Sequence, residues 1–296
     1  MFSRLSYKTQ RNIIILTFLA IPLALLAIFS YYPALNLFYL SFHKWDGISK
    51  IKEFVGFENF ITLFTKPEYF IVFKTSLYYL IGSFIQLTLA LYFATLLNSK
   101  IKGRNIFKGI IFFPYLLNGV AIGFIFLFFF RPDGTLDSIL NLLGLGSLAN
   151  LWLGNPKIIN FSLVGASIWR YMGYMFILFL GAMQSIPQDL YEASELDGAN
   201  KWQQFRYIIF PSIKKIIELN SILAISGAIA VFEMPYIMTG GSNGSETFVI
   251  KTVETAFKWM KYGMASAMGI VLLAIVIIIT MIQKKIFAER MENECS

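Results

Sequence analysis

Six long apolar runs are the feature that most constrains how this chain can fold. A helix that crosses a hydrocarbon core about 30 Å thick needs roughly 20 apolar residues. Such runs lie near residues 12–42, 70–97, 106–130, 158–181, 213–239 and 262–285. Charged residues make up only 14% of the 296 residues, against about 25% in an average soluble domain. The sequence therefore predicts an all-α integral membrane protein with six transmembrane helices.

The basic residues lie mainly between the apolar runs, and their distribution predicts the orientation. Lys and Arg in short loops favour the cytoplasmic side. They concentrate at Arg4, Lys8, Arg11, Lys100, Lys102, Arg104, Lys108, Lys284, Lys285 and Arg290. We expect both termini and the loops 98–108 and 184–215 in the cytoplasm, with the first run as an uncleaved anchor. Lipid and topology account for the net charge of +8, so no nucleic-acid partner is expected.

The segment Ile186–Pro211, IPQDLYEASELDGANKWQQFRYIIFP, is a charged interruption between two apolar runs. Its six charges would cost about 18 kcal/mol at the bilayer centre, at roughly 3 kcal/mol each, so it must lie outside the membrane. Pro187 suits the first turn of a helix, and Gly198 suits its C-terminal end. Asn200 and Gln203 have the spacing of a capping box. The pattern predicts two short helices joined at an elbow.

Each of these two helices carries an apolar face at helical spacing. The first face is Leu190, Ala193 and Leu196, and the second is Trp202, Phe205 and Ile209. Spacing alone leaves two interpretations open with equal weight. The segment either rests on the lipid as an amphipathic loop or docks a soluble partner.

The residues EASELDGANKWQQFRYIIFP resemble the EAA loop of permease subunits in ATP-binding-cassette (ABC) importers, whose pattern is E-A-A-x3-G-x9-I-x-L-P. The matching positions are Glu192, Ala193, Ser194, Gly198, Ile208, Phe210 and Pro211. Ser194 replaces the family's Ala, and Phe210 replaces its Leu. YYPALNLFYLSFHKWDG, FVGFENFITLF, FFPYLLNGVAIG, FRPDG and MTGG resemble the carbohydrate-uptake branch, which includes maltose and glycerol-3-phosphate permeases. The resemblance covers about residues 12–287.

This resemblance implies a type I ABC importer permease fold in which the EAA loop is a cytoplasmic coupling helix. Glu192 and Ala193 would contact a cytosolic ATPase, and Gly198 would form the elbow. The implied partners are a second homologous permease in a heterodimer, two cytosolic ATPase subunits and an extracellular solute-binding lipoprotein. The implied domains are residues 1–69, with the first transmembrane helix, and the permease domain 70–290, in a bacterial plasma membrane.

The energy source is expected to lie outside this chain. The sequence has no G-x-x-x-x-G-K-[ST] motif, so we expect ATP and Mg²⁺ on the partner subunits, no cofactor here and no enzymatic activity. His43 is the single histidine and Cys295 the single cysteine, which predicts neither a metal site nor an internal disulfide.

Polar residues in the fourth and fifth runs are candidates for the substrate path, because such residues usually face a cavity or another helix. They are Ser167, Arg170, Tyr171, Tyr174 and Glu233. Tyrosines suit sugars, since rings stack on the apolar sugar face and hydroxyls form hydrogen bonds. Arg170 facing the path would favour an anionic sugar such as a sialic acid, a uronide or glycerol-3-phosphate. The alternative is that Arg170 pairs with Glu233 or extends towards the membrane surface.

Two other classes of membrane protein fit the sequence less well. A self-sufficient secondary transporter or channel would need internal repeats, broken helices or several acidic residues within the membrane. No clear repeat is visible, and Glu233 stands nearly alone. An intramembrane enzyme would need a nucleophile–base pair or metal ligands within the spans. Its single histidine makes that class the poorest fit.

Overall fold

The described part of the chain, residues 6–99 and 101–295 of a computed structural model, is built mainly from helices. The helices are α1 (Tyr7–Leu26), α2 (Tyr32–Ser41), α3 (Glu58–Thr65), α4 (Pro67–Phe70), α5 (Phe73–Asn98), α6 (Arg104–Leu116), α7 (Gly119–Phe130), α8 (Thr135–Leu142), α9 (Ile159–Gln184), α10 (Gln188–Leu196), α11 (Lys201–Gln204), α12 (Phe210–Ser212), α13 (Lys214–Ile229), α14 (Glu233–Thr239), α15 (Phe248–Val253) and α16 (Tyr262–Cys295). The strands are β1 (His43–Lys44) and β2 (Glu53–Phe54). Single turns of π- or 3-10 helix are Ala27–Tyr31, Gly146–Leu148, Phe205–Ile209, Ser242–Gly244 and Glu254–Lys258.

Five helical segments of the described chain are long and apolar enough to cross a membrane. They are Tyr7–Ser41, Pro67–Asn98, Ile159–Gln184, Lys214–Thr239 and Tyr262–Phe287. The pair α6 and α7 adds a sixth if its two helices together make one span. These segments confirm the predicted all-α membrane class and coincide with the predicted apolar runs.

The third apolar run is not the single regular helix that its composition predicts. Its two helices, α6 and α7, are bent by 98°. Leu117 and Asn118 are extended, and the Asn118 side chain accepts a hydrogen bond from the Val120 N–H at 2.8 Å. A side chain that caps a new helix competes with continuation of the old one. The prediction of one continuous helix over 106–130 was therefore wrong.

The fifth run is also interrupted. α13 ends at Ile229, and α14 begins at Glu233 after a short non-helical stretch. The Thr247 hydroxyl donates to the Val231 carbonyl at 2.8 Å, which satisfies one backbone group freed by the break. As a result Glu233 lies in the first turn of a helix, where a negative charge is favourable.

The described residues form two compact units. One consists of the residues up to Lys66 together with Thr252–Leu273, and the other of Pro67–Lys251 together with the residues from Ala274 onward. This division passes through α16, whereas the predicted domains divide at residues 69 and 70. Those predicted domain boundaries stay predictions.

The first unit contains a β-hairpin that the sequence did not predict. β1 and β2 pair antiparallel, with His43 opposite Phe54 and Lys44 opposite Glu53. The Asn59 amide donates to the carbonyls of Ser41 at 2.8 Å and His43 at 3.0 Å. α1 precedes this hairpin and buries none of its residues, and Pro22 lies within it without ending it.

The second unit is held together by close packing of α5 against α9. Ala90 and Ala94 of α5 are fully buried, and they belong to one apolar cluster with Phe176 and Phe179 of α9. A Cβ added to Gly82 of α5 would overlap the Val164 side chain. Small residues let membrane helices approach closely enough for extensive van der Waals contact. This pair of helices forms the frame on which the candidate sites are built.

Candidate functional site

The segment Ile186–Pro211 forms the two short helices that its sequence predicts. α10 starts at Gln188, with Pro187 as its N-cap rather than in its first turn. Glu192 and Ala193 are both exposed on α10. The predicted ATPase contact residues are therefore accessible for docking, and their role stays a prediction.

The bend after α10 depends on Gly198. Its φ of +78° lies in the left-handed region, which side chains rarely adopt. The Ala199 N–H donates to the Ser194 carbonyl at 2.9 Å, and the Gly198 N–H donates to the Glu195 carbonyl at 3.1 Å. These two bonds are the Schellman pattern that ends helices at glycine. The predicted glycine stop is confirmed.

α11 begins with the predicted capping box. The Asn200 side chain accepts from the Gln203 N–H at 2.9 Å, and the Gln203 side chain accepts from the Asn200 N–H at 2.8 Å. Gln204 is buried, and its amide donates to the Ser194 hydroxyl oxygen at 2.9 Å. Ser194, the departure from the family's Ala, therefore ties α10 to α11.

Tyr191 fixes α10 to the end of the second span. The Asn98 amide of α5 donates to the Tyr191 hydroxyl oxygen at 3.4 Å. Burial raises the pKa of Tyr191, although the Asn98 hydrogen bond opposes this shift. The phenol therefore stays neutral throughout the physiological pH range. This hydrogen bond links α10 to the end of α5 that is predicted to be cytoplasmic.

The apolar residues of this segment are divided between the surface and the core. Leu196 of α10 is 90% exposed and Trp202 of α11 is 69% exposed, whereas Ile209 is buried in the cluster with α9. The Trp202 ring stacks on Phe205 at a centroid distance of 5.6 Å, and Phe205 packs against the cluster that contains Ile209, so the predicted face runs from the exposed Trp202 into the core. Leu190 is also 48% exposed, so Leu190, Leu196 and Trp202 are all uncovered apolar side chains of this segment.

A cavity of about 510 Å³ lies within the second unit, between α5, α9, α13 and α14. Its polar lining residues are Tyr79, Ser83, Gln86, Tyr115, Ser167, Tyr171, Tyr174 and Glu233. Four of the five predicted path residues are in this lining, and Arg170 is not. Small-molecule sites are typically concave, mostly apolar and furnished with a few polar groups. The lining fits that description, while the path role of each predicted residue stays a prediction.

Arg170 is paired with Glu233 instead of facing the cavity. Its guanidinium donates to the Glu233 carboxylate, and the Tyr171 hydroxyl donates to the same carboxylate oxygen at 3.1 Å. The guanidinium also lies 4.8 Å from the centre of the Tyr171 ring. The structural pairing that the sequence left open as an alternative is thus present, and it joins α9 to the first turn of α14.

Tyr115 of α6 is a lining residue that the sequence analysis missed. Its ring stacks on Tyr174 of α9 at a centroid distance of 4.9 Å, with an angle of 26° between the ring planes. The sequence signal was FFPYLLN, in which Tyr115 follows Pro114 at the end of α6. Its position beside the cavity was not visible in the sequence, because it depends on how α6 ends and the chain bends.

Gly119 allows α7 to begin directly beside the ion pair. A Cβ added to Gly119 would overlap the Glu233 carboxylate and the Arg170 guanidinium. A Cβ added to Gly123 would overlap the Ile237 side chain of α14. Gly119 and Gly123 have the spacing G-x-x-x-G, and both allow close helix packing.

Replacing Gly119 with alanine is expected to lower the free energy of unfolding by about 1–3 kcal/mol, the usual cost of overpacking. The control is Gly165→Ala on α9, where no atom lies near the added Cβ and a helical alanine is favoured. Thermal unfolding of both variants in detergent tests the difference. Equal unfolding temperatures would contradict the close approach at Gly119.

A second cavity, of about 360 Å³, is a weaker candidate. It is lined by the C-terminal ends of α7 and α14 and by loop residues, including Arg131, Pro132, Trp152 and Asn243. The Asn243 amide already donates to the Leu153 carbonyl at 3.1 Å. Transport sites are usually formed by discontinuous membrane helices. The cavity beside the α13–α14 break meets that condition.

Comparison with known proteins identifies the family. The family described as "Binding-protein-dependent transport system inner membrane component" matches residues 86–293. The chain belongs to this family. The probable ABC transporter permease protein YurN of Bacillus subtilis is 33% identical over 94% of this chain and 97% of its own length. The trehalose/maltose transport system permease protein MalF of Thermococcus litoralis is 30% identical, covering 96% of each chain.

A solved structure supports the fold of this permease. A chain of a bacterial alginate ABC transporter, crystallised with an alginate pentasaccharide-bound periplasmic protein, has a TM-score of 0.81. It is 21% identical and covers 95% of this permease and 96% of that chain. The likeness shows the type I importer permease fold that the EAA loop implied.

Family membership decides between the classes of membrane protein that the sequence left open. The chain is a permease subunit of an ABC importer, which is a transport component and not an enzyme. Broken helices were expected only of a self-sufficient transporter, but two are present in the described part of this permease. Broken helices therefore did not discriminate between these classes, whereas the EAA loop did.

Proposed function

We propose that this permease carries a neutral sugar or oligosaccharide, delivered by an extracellular binding protein, through the cavity between α5, α9, α13 and α14. This proposal rests on the kinds of side chain that line the cavity. Stacked rings of Tyr115 and Tyr174 offer a flat apolar surface, and hydroxyl and amide groups surround it. Sugars present both an apolar ring face and several hydroxyls. Relatives include a trehalose/maltose permease and an arabinooligosaccharide permease, which agrees with this substrate class.

The charge of the cavity favours a neutral substrate over an acidic one. Among the described lining residues, Glu233 is the one with a charged side chain, and Arg170 neutralises it. A carboxylate moved from water into this cavity would find no free cation. Burying an unpaired charge is strongly unfavourable. The anionic sugars considered for Arg170 are therefore disfavoured.

The proposed assembly contains this permease, a second homologous permease, two cytosolic ATPases that bind ATP and Mg²⁺, and an extracellular solute-binding lipoprotein. The family's description as binding-protein-dependent supports the last of these. We place the assembly in a bacterial plasma membrane, with both termini cytoplasmic, on the basis of the basic loops. A heterodimer of permeases is proposed from the resemblance to the carbohydrate branch.

The proposed coupling surface consists of Glu192, Ala193 and Gly198 with the apolar residues Leu190, Leu196 and Trp202. An ATPase cleft seated on it would cover Leu196 and Trp202, whose side chains are 90% and 69% exposed. Closure of two ATPases would then move α10, and Tyr191 would transmit that movement to α5 through Asn98. The permease would alternate in this way between inward-facing and outward-facing states.

Gentle detergent purification of the tagged chain from its native membrane, with mass spectrometry, tests the assembly. We expect an ATPase, a second permease and a lipoprotein to co-purify. The reconstituted assembly should transport neutral disaccharides at least about tenfold faster than disaccharides carrying a uronate, a difference of roughly 1.4 kcal/mol. Faster uptake of the uronates would overturn the neutral substrate, and a chain that purifies alone would count against the assembly.

A further inference from the structure

One face of α5 changes from apolar to polar along its length. Towards the C-terminal end the face packs in the core through Ala90, Ala94 and Leu97. Towards the N-terminal end the same helical spacing continues with Tyr79, Ser83 and Gln86, which are 6%, 6% and 7% exposed. Polar groups buried within a membrane helix are costly unless they find partners. The burial of these three polar side chains on a packing face therefore requires an explanation.

Hydrogen bonds among the described residues do not account for this burial. The Tyr79 hydroxyl has no partner of hydrogen-bond geometry among the described residues, although it interacts weakly with Ser167. The Ser167 proton is donated elsewhere, to the Leu163 carbonyl at 3.0 Å. The Gln86 amide donates to the Met175 sulfur at 3.1 Å, and a thioether is a weak acceptor.

The same observations leave these side chains little bonding between helices, since the weak Gln86–Met175 contact is the one such bond that they make among the described residues. Polar residues that join membrane helices hydrogen-bond across the interface. The Ser83 hydroxyl instead donates back to the Leu80 carbonyl of its own helix at 2.7 Å. All three side chains border the 510 Å³ cavity. An occupant of that cavity is therefore a candidate partner for the groups that these side chains leave unsatisfied.

We propose that Tyr79, Ser83 and Gln86 form a recognition wall on α5 that selects the substrate by its hydroxyl groups. The proposal rests on the proposed function, since it assigns recognition within the same cavity. Tyr79 and Gln86 can each donate and accept, and Ser83 retains free lone pairs. Seven residues of helix extend about 10 Å, so the wall reaches several hydroxyls along an oligosaccharide rather than one.

The test compares sugars that differ by one hydroxyl in Tyr79→Phe and Gln86→Leu assemblies. The reconstituted wild-type assembly is first screened with labelled maltose, trehalose, raffinose and arabinobiose, and the sugar taken up fastest becomes the probe. Each variant should raise KM for the probe about 3- to 10-fold, the worth of one neutral hydrogen bond. Each should also lose discrimination against one monodeoxy analogue of the probe. That loss identifies the hydroxyl that the missing group binds.

Ser76→Ala is the matched control. Ser76 of α5 is also buried and its hydroxyl has no hydrogen-bond partner in the described part of the chain, but it does not line the cavity. It should leave KM and the discrimination between probe and analogues unchanged. If Tyr79→Phe and Gln86→Leu keep the wild-type discrimination, or if Ser76→Ala loses it equally, the recognition wall is overturned. If the wild-type assembly takes up none of the four sugars, the proposed function fails instead.

Discussion

Replacing Glu233 with leucine is expected to cost the permease more stability than replacing Arg170. The Arg170 side chain is 11% exposed and that of Glu233 is 39% exposed. Glu233→Leu leaves a charged guanidinium within a span, at about 2.5–3.5 kcal/mol. Its Nε already has no hydrogen-bond partner among the residues that the structure describes. Arg170→Leu leaves a carboxylate that the cavity can hydrate, for which we expect a smaller loss.

Thermal unfolding of the purified assembly measures which of the two substitutions costs more stability. Sugar uptake should also fall more than tenfold in Glu233→Leu. The double variant Arg170→Leu/Glu233→Leu removes both charges, and it should be more stable than Glu233→Leu alone. Tyr171→Phe is the mild control, because it removes only one hydrogen bond to the same carboxylate. If Glu233→Leu unfolds at the wild-type temperature, the ion pair does not stabilise the contact between α9 and α14.

The ion pair matters because it lies where two interrupted spans meet. Glu233 opens α14 after the break that ends α13, and Gly119 opens α7 after the 98° bend. Arg170 contacts Glu233 from the middle of α9, the span that continues to the coupling segment. A displacement of α9 therefore acts directly on the segment that borders the cavity.

Hydrogen bonds between near neighbours in the chain and the faces of regular helices were the features of this permease that its sequence predicted best. Gly198 and the Asn200–Gln203 pair produce the elbow through bonds between residues a few positions apart. Ser167, Tyr171 and Tyr174 share one face of a regular helix, so periodicity alone brought them together. Where structure follows from neighbours along the chain, sequence analysis was sufficient.

Nonlocal contacts explain the errors and omissions. The bend at Asn118 is hidden in an apolar run, because hydropathy does not distinguish a continuous helix from a broken one. Tyr79, Ser83 and Gln86 recur at helical spacing in the second run, but such spacing does not show whether they face a cavity or a neighbouring helix. The partner of Arg170 likewise depended on how the fifth run breaks at Glu233.

Replacing Gly198 with valine is expected to reduce sugar uptake by more than tenfold and to uncouple ATP hydrolysis from transport. At a φ of +78° a side chain costs roughly 1–2 kcal/mol, and more for a β-branched residue. α10 would then end differently and displace Glu192 from the proposed ATPase cleft. Uptake and ATPase activity of the reconstituted assembly are measured together, so that uncoupling is distinguished from failed assembly.

Gly198→Asn separates backbone strain from contact with a partner. Asparagine tolerates the left-handed region, and no atom of the described residues lies within 4 Å of a Cβ added at Gly198. If asparagine preserves uptake while valine abolishes it, the conformation of the elbow is what transport requires. If both variants fail although α10 and α11 keep their helical content, a partner surface approaches Gly198 too closely for any side chain. Wild-type coupling in the valine variant would contradict the proposed role of this elbow, because neither strain nor contact would then limit transport.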